Sequence, residues 1–150
     1  MRYALGLGSN LGDRVGYLRM AEEGLRELGP VVVSSYHETE PVGPPQPMYL
    51  NAAAIVECEL EPEAMHACCR EIEARGERVR GDKWGPRTLD VDLLLCDGVA
   101  FESETLRIPH PGIAERMFVL APLVEIAPHW VVPGLFRTVR ELHEACHVHP

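Results

Sequence analysis

The sequence predicts an α+β fold, an antiparallel sheet with helices packed on it and an extension at the C-terminus. Short apolar, β-branched segments alternate with segments of helical periodicity, Gly and Pro punctuate the junctions, and the first six elements run β-α-β-β-α-β. Residues 2–8 form an apolar strand ending in a Gly-rich turn. The first helix starts near Asp13, a candidate N-cap, buries Leu18, Ala21, Leu25 and Leu28, and stops at Gly29-Pro30. Val31 to His37 is the second strand. Residues 38–49, with Pro41, Pro44, Pro45 and Pro47, read as a long, loosely packed loop. Asn51 to Leu60 is the third strand. Pro62 suits the first position of a second helix, whose core face is Met65, Cys68 or Cys69, and Ile72. A basic loop follows, then a strand from Leu89 to Cys96. That order is the ferredoxin-like pattern, with the helices on one face of the sheet. Residues 97–150 extend it, and Thr138-Val139-Arg140-Glu141 is a capping box opening a last helix with Val139, Leu142 and Cys146 inward.

A chain of 150 residues with 46% hydrophobic content is expected to be one domain, residues 1–150, with a sizeable core. Its formal net charge of -9 argues against nucleic-acid binding, which needs a broad basic face. The positive charge is local: six of the 14 basic residues lie within residues 70–87, the footprint of a small-anion site. Cys58, Cys68, Cys69, Cys96 and Cys146 lack metal-ligand spacing and read as reduced core thiols. No run is long enough to span a membrane, and Met1 to Leu5 enters a strand at once, leaving no room for a signal peptide. A cytoplasmic protein acting as a monomer is expected, with neither membrane nor nucleic acid as partner.

Residues 84–95 read Trp-Gly-Pro-Arg-Thr-Leu-Asp-Val-Asp-Leu-Leu-Leu. Alternation along a strand puts Asp90 and Asp92 on one face, beside leucines, where unpaired charge is costly. Arg78, Arg80, Lys83 and Arg87 crowd the preceding loop. Paired carboxylates beside guanidinium groups suit Mg²⁺ held with a polyphosphate, since hard oxygens take the metal and the arginine forks take phosphate. Phosphoryl-type transfer is the first reading; the other is a structural pairing of strand-end carboxylates with nearby arginines. Trp84 offers a stacking face, and Gly85-Pro86 is a turn that delivers Arg87 close to the carboxylates. Gly6-Leu7-Gly8-Ser9-Asn10 lacks the Gly-Lys-Ser/Thr ending of a phosphate-binding loop and reads as a tight strand-to-helix turn. His143, Cys146, His147 and His149 have no second cluster to complete a zinc site.

Arg78-Val79-Arg80 followed by Trp84-Gly85-Pro86-Arg87-Thr88-Leu89-Asp90-Val91-Asp92 resembles the 6-hydroxymethyl-7,8-dihydropterin pyrophosphokinases of folate biosynthesis. Further stretches match in the same order: Gly6 to Gly12; Thr39 to Pro44 with Tyr49 to Ala53; and Ile108 to Pro111, Glu115 to Leu120 and Pro122 to Pro128. The resemblance implies the same core fold and an ATP-dependent diphosphotransferase, in which the pterin hydroxymethyl group attacks the β-phosphorus and AMP is released. It implies two Mg²⁺ ions, with ATP, on Asp90 and Asp92, and catalytic roles for Arg78, Arg87 and Asp92. An ionised aspartate of reference pKa ~3.9 is a weak base when it holds metal, so positioning and electrostatics dominate. ATP would be bound by Arg78, Arg80, Trp84, Arg87, His110 and Arg116; the pterin by Thr39, Pro41, Val42, Tyr49, Asn51, Trp84 and Phe118. Bland readings remain beside these: a solvated face for the arginines, a loop histidine for His110, core packing for Tyr49 and Phe118.

Two positions depart from the family pattern. Glu77 stands where a glycine commonly precedes the first loop arginine, with Gly76 one place earlier, which alters the handover from the second helix. Gly112 replaces an arginine often found after Pro-His-Pro, which bears on ATP affinity. Residues 38–49 and 76–86 are expected to order around ATP and pterin. The rivals are another Mg²⁺-dependent transferase with a different acceptor, and a non-catalytic ferredoxin-like module binding a nucleotide as a regulatory ligand.

Overall fold

A computed structural model describes residues 1–40, 45, 47–80 and 88–148, excluding the side chains of residues 77–80, 147 and 148. Strand β1 (Arg2–Ser9) lies inside the main sheet, antiparallel to β4 (Tyr49–Glu57) on one side and to β5 (Asp90–Cys96) on the other. Two short strands, β2 (Val31–Val33) and β3 (His37–Thr39), pair antiparallel with the far edge of β4, giving the order β2-β4-β1-β5. Helix α1 (Arg14–Arg26) connects β1 to β2 with β4 inserted between them, and α2 (Pro62–Arg80) connects β4 to β5. This is the split βαβ arrangement of the predicted ferredoxin-like core.

Strand β1 is apolar at nearly every position because one of its faces is covered along its length and the other is covered at Ala4. On one face Tyr3, Leu5, Leu7, Ala52, Ala54, Val56, Val91 and Leu93 pack against Leu18, Ala21 and Leu25 of α1 and Met65, Cys69 and Ile72 of α2. On the other, Ala4, Ala53, Leu94 and Leu95 meet Val119, Leu120 and Leu123 of α3 (Met117–Ile126), and Val139 and Leu142 of α4 (Val139–Val148). The extension therefore supplies a second helical layer, where the bare pattern placed helices on one face only. It also carries two hairpins, β6 (Phe101–Glu102) with β7 (Arg107–Ile108) and β8 (Val131–Val132) with β9 (Arg137–Thr138), and a 3₁₀ turn at Ile113–Glu115.

Local signals behave as their chemistry requires. The Asp13 carboxylate accepts the Gly16 N–H at 3.0 Å and caps α1. Thr138 and Glu141 exchange reciprocal hydrogen bonds, 2.9 Å from the Thr138 N–H to Oε1 and 3.1 Å from the Glu141 N–H to Oγ1, which is the capping box. Gly29 is fixed by close approach: a Cβ there would stand 2.0 Å from the Glu57 carbonyl oxygen. Cys69, not Cys68, takes the buried place on α2, and all five cysteines are unbridged. Among the described residues no helix is long and apolar enough to cross a membrane.

Several boundaries differ from expectation. The second strand divides into β2 and β3, because three residues (34–36) oppose two on β4 between the pairs Val33↔Ala54 and His37↔Asn51. At this bulge Ser34 donates its N–H to the Ala53 carbonyl and accepts the Ala53 N–H on Oγ, both at 2.9 Å, so a hydroxyl replaces a ladder carbonyl. Strand β4 ends at Glu57, short of Leu60. The expected loop 38–49 is shorter, since Glu38 and Thr39 pair with Leu50 and Tyr49. The backbone of α2 continues through Arg80, so Arg78 and Arg80 belong to a helix and not to a loop.

Candidate active site

On β5 the side chains of Val91 and Leu93 enter the core, and strand alternation turns Asp90 and Asp92 to the opposite face, where both are half-buried. Their neighbours across the sheet are glycines: Asp90 pairs with Gly8 and Asp92 with Gly6. Beyond the glycines stand Asn51, opposite Gly8, and Ala53, opposite Gly6. Gly6 and Gly8 add no side chains of their own above the central strand, so neighbours close in: a Cβ on Gly6 would stand 3.5 Å from Leu94 Cδ1, and one on Gly8 3.0 Å from Asn51 Oδ1. The resulting cavity of about 230 Å³ is lined by both glycines and by Thr39, Tyr49, Asn51, Asp90, Asp92, Arg116 and Phe118. All seven of those side chains were singled out in the sequence from widely separated segments.

The polar groups of this cavity are held in place. Asn51 Nδ2 donates to Thr39 Oγ1 at 2.5 Å, which directs its Oδ1 away from that bond. Burial, and secondarily the Asp90 carboxylate, push the Tyr49 hydroxyl above its ordinary pKa, so it stays a protonated donor. The expected turn at Gly6 to Asn10 is instead mostly strand, since β1 runs through Ser9; beyond it Asn10 Nδ2 donates to the Pro47 carbonyl at 3.3 Å, and Arg14 Nη1 at the start of α1 to that of Met48 at 3.0 Å. Arg116 stands at the N-terminus of α3 with its guanidinium 5.9 Å from the Phe118 ring centroid. It folds back over Gly112, where a Cβ would lie 2.6 Å from Arg116 Nε. The departure at position 112 therefore has a local consequence: this seat for Arg116 exists only beside a glycine.

A second cavity, about 550 Å³, opens on the outer side of β5. Its walls include His66, Arg70 and Glu73 of α2, Arg107 of β7, and His110, and Asp92 is the one described residue that lines both cavities. His110 is fixed by its N–H to the Leu94 carbonyl, 2.7 Å, and by its Nδ1, which accepts the Gly112 N–H at 3.0 Å. The ring proton of the neutral imidazole is consequently on Nε2. Burial lowers the His110 pKa; the Asp92 carboxylate opposes that and Arg116 reinforces it. A neutral ring with an outward N–H donor results.

Pro41, Val42, Lys83, Trp84 and Arg87 lie outside the described residues, as do the side chains of Arg78 and Arg80. The sequence reading passed over Gly6 and Gly8 as formers of the cavity, and over Glu73, His66, Arg70 and Arg107. The glycines had a signal: their i, i+2 spacing matches that of the two aspartates they oppose. Glu73 had one as well, a charge on the apolar stripe Met65, Cys69, Ile72 of α2.

A family model described as 7,8-dihydro-6-hydroxymethylpterin-pyrophosphokinase matches residues 4–128. A 2-amino-4-hydroxy-6-hydroxymethyldihydropteridine pyrophosphokinase of Methylorubrum extorquens is 43% identical over 144 residues, covering 93% of this chain and 90% of the relative. The protein of the same name from Bacillus subtilis is 44% identical over 126 residues, covering 81% and 75%. Among solved structures, a wild-type Plasmodium falciparum HPPK-DHPS superposes with a TM-score of 0.70 at 17% identity. Another HPPK-DHPS, in complex with substrates, gives 0.73 at 12%. Both matches cover 96% of this chain and 43% of the other, so the chain spans less than half of either, and at such identities they show the fold alone.

Proposed function

Because the chain belongs to the 7,8-dihydro-6-hydroxymethylpterin-pyrophosphokinase family, we propose that its two cavities are the two substrate sites of that reaction and meet at Asp92. The chain is an ATP-dependent pyrophosphokinase of folate biosynthesis. It transfers pyrophosphate from ATP to the hydroxymethyl group of 6-hydroxymethyl-7,8-dihydropterin and leaves AMP. The observation that carries the assignment of sites is that Asp92 lines both cavities. The inner cavity suits a flat, amide-edged ring: Phe118 and Tyr49 offer faces, and Asn51 offers hydrogen-bonding partners from one fixed side chain. The outer cavity, with Arg70, Arg107 and His110, suits the nucleotide and its phosphates.

The donor set fits Mg²⁺. Asp90 and Asp92 present hard carboxylate oxygens on one face, half-exposed, above glycines that leave room for coordinated water and phosphate oxygens. Asp90 and Asp92 would hold the two ions proposed to enter with ATP, and the chemistry those ions would supply is Lewis-acid neutralisation of phosphate charge. Everything else falls to the chain's own side chains. Thr39, Tyr49, Asn51 and Phe118 orient the pterin with its hydroxymethyl toward Asp92. His110 donates its Nε2–H to a phosphate oxygen, and Arg116 supplies positive charge beside the same junction. Arg78, Arg80, Arg87 and Trp84, with Pro41 and Val42, complete the proposal from the other segments, the whole acting as one domain and one monomer.

The deciding experiment is AMP formation from ATP, Mg²⁺ and the hydroxymethyl-dihydropterin, with Asp92→Ala alongside. Pterin-dependent AMP release that disappears in the variant supports the reading. AMP release that survives in the variant removes Asp92 from the junction. ATP binding without any AMP from the wild type favours the regulatory nucleotide-binding module.

A further inference from the structure

We propose that Glu73 is a positioning residue that sets the direction of both aspartates by holding the backbone between them. The proposal rests on the reading of Asp90 and Asp92 as the metal-binding pair. Among the described residues strand β5 is the edge of its sheet, laddered to β1 on one side only. Its other edge must satisfy backbone groups without a strand. At Leu94 the carbonyl takes the His110 N–H. At Val91 the N–H donates to Glu73 Oε2 at 2.9 Å, across to α2.

This bond falls on the one residue that separates the two aspartates. In a pleated strand the orientation of the Val91 peptide units fixes where the flanking Cβ atoms point. Constraining the Val91 N–H from the outer edge, while Gly6 and Gly8 pair from the inner edge, leaves the Asp90-Val91-Asp92 segment little freedom to rock. The constraint matters because the ladder itself is irregular nearby, shifting register between Ala4 and Leu5. It matters also because glycines offer the aspartates no side chain to lean on.

Packing alone does not call for a carboxylate here. Glu73 is 8% exposed, on the face of α2 that carries Met65, Cys69 and Ile72 into the core. Burying a carboxyl group there is costly unless hydrogen bonds compensate it, and the Val91 N–H supplies one. An apolar residue would fill the space more cheaply and leave the Val91 N–H without this acceptor.

Two variants separate positioning from packing. Glu73→Met fills the space without an acceptor and suits an apolar helix face; Glu73→Gln keeps an acceptor and loses the charge. Three quantities are read on the full chain: amide exchange at Val91 in the free protein, affinity for Mn²⁺ with a non-hydrolysable ATP analogue, and kcat against KM for the pterin. In Glu73→Met, Val91 exchange is expected to quicken about tenfold and Mn²⁺ affinity to fall by about the same factor. Its kcat drops with little change in the pterin KM. Glu73→Gln recovers most of each. Equal losses in both variants overturn the proposal, because charge and not the hydrogen bond would then matter. Faster Val91 exchange with unchanged Mn²⁺ affinity overturns it too. Exchange and metal affinity are read without turnover, so a wild type that binds Mn²⁺ and makes no AMP would sink the functional reading while leaving the link between Glu73 and the aspartates supported.

Discussion

Against α1 and α2, the sheet presents Tyr3, Leu5 and Leu7 of β1 and Val91 and Leu93 of β5, all buried; on its other face the same two strands present Gly6, Gly8, Asp90 and Asp92. The difference lies in how far the covering helices reach. On the first face the cover is continuous over β1 and stops at the outer edge of β5, where the second cavity opens beside Val91 and Leu93. On the second, α3 and α4 bury Ala4, Ala53, Leu94 and Leu95, and α3 ends its cover at Arg116 and Phe118, which become a cavity wall. One face holds the fold together while the other is free to bear charge, because half-exposed carboxylates pay little of the desolvation penalty that a closed layer would impose. Stability and chemistry are thereby separated by a strand's thickness, and substitutions on the two faces should have separable effects.

The largest effect is expected at Asp92. Asp92→Ala should cost on the order of 10³-fold in kcat, the scale of losing a group that acts on transition-state charge. Its chemical-denaturation midpoint should stay close to wild type. A large loss of stability would mean that the carboxylate is structural, and the contrast between faces would fail. The converse substitution is Leu18→Ala on α1, at a fully buried position in the first layer. It should destabilise by roughly 2–5 kcal/mol while leaving the pterin KM of the folded fraction unchanged. A changed KM at low denaturant would show that the two faces communicate.

A finer test concerns the floor of the cavity. In Gly8→Ala the new Cβ stands 3.0 Å from Asn51 Oδ1, so the amide must move or the methyl must intrude. The pterin KM should rise about tenfold, the size of one lost hydrogen bond, with the ATP KM little changed. An equal rise in both would place the two substrates in a single cavity.

The contrast between faces also explains what was legible in the sequence. Asp90 and Asp92 were readable because strand period is local: two residues apart means one face, whatever the rest of the chain does. Asp13 and the Thr138–Glu141 box were readable for the same reason, each being complete within four residues. The division of the second strand was not, because it depends on Ser34 meeting Ala53 across the sheet, and nothing in Ser-Ser-Tyr announces that partner. The two-residue strands of both hairpins are too short to show any period. Glu73 was hidden by the rule that reveals helices, since a charge on an apolar stripe reads as noise until the strand it serves is known. The second helical layer was legible only as an extension of unspecified shape.

The smallest expected effect lies where the second layer clasps the edge of the sheet. Glu125 of α3 accepts hydrogen bonds from the Ser35 N–H at 2.9 Å and from Ser35 Oγ at 2.8 and 2.9 Å, and pairs with His37 Nε2. Burial pushes the carboxyl up, but the two Ser35 donors and His37 outweigh it and hold its pKa below the ordinary 4.5. A depressed folded pKa means that the unfolded chain takes up the proton first as pH falls. The clasp therefore contributes its full stability above the ordinary carboxylate range and loses it as pH drops through the folded value. The group is solvent-screened, so the contribution is under about 1 kcal/mol. Glu125→Gln should lie slightly below wild type in urea midpoint at pH 7, and the gap should close on acidification to about pH 3. A gap that stays constant would assign the effect to packing of α3, and one that widens would reverse the sign of the linkage. Either result would leave the edge of the second layer held by something other than this carboxylate.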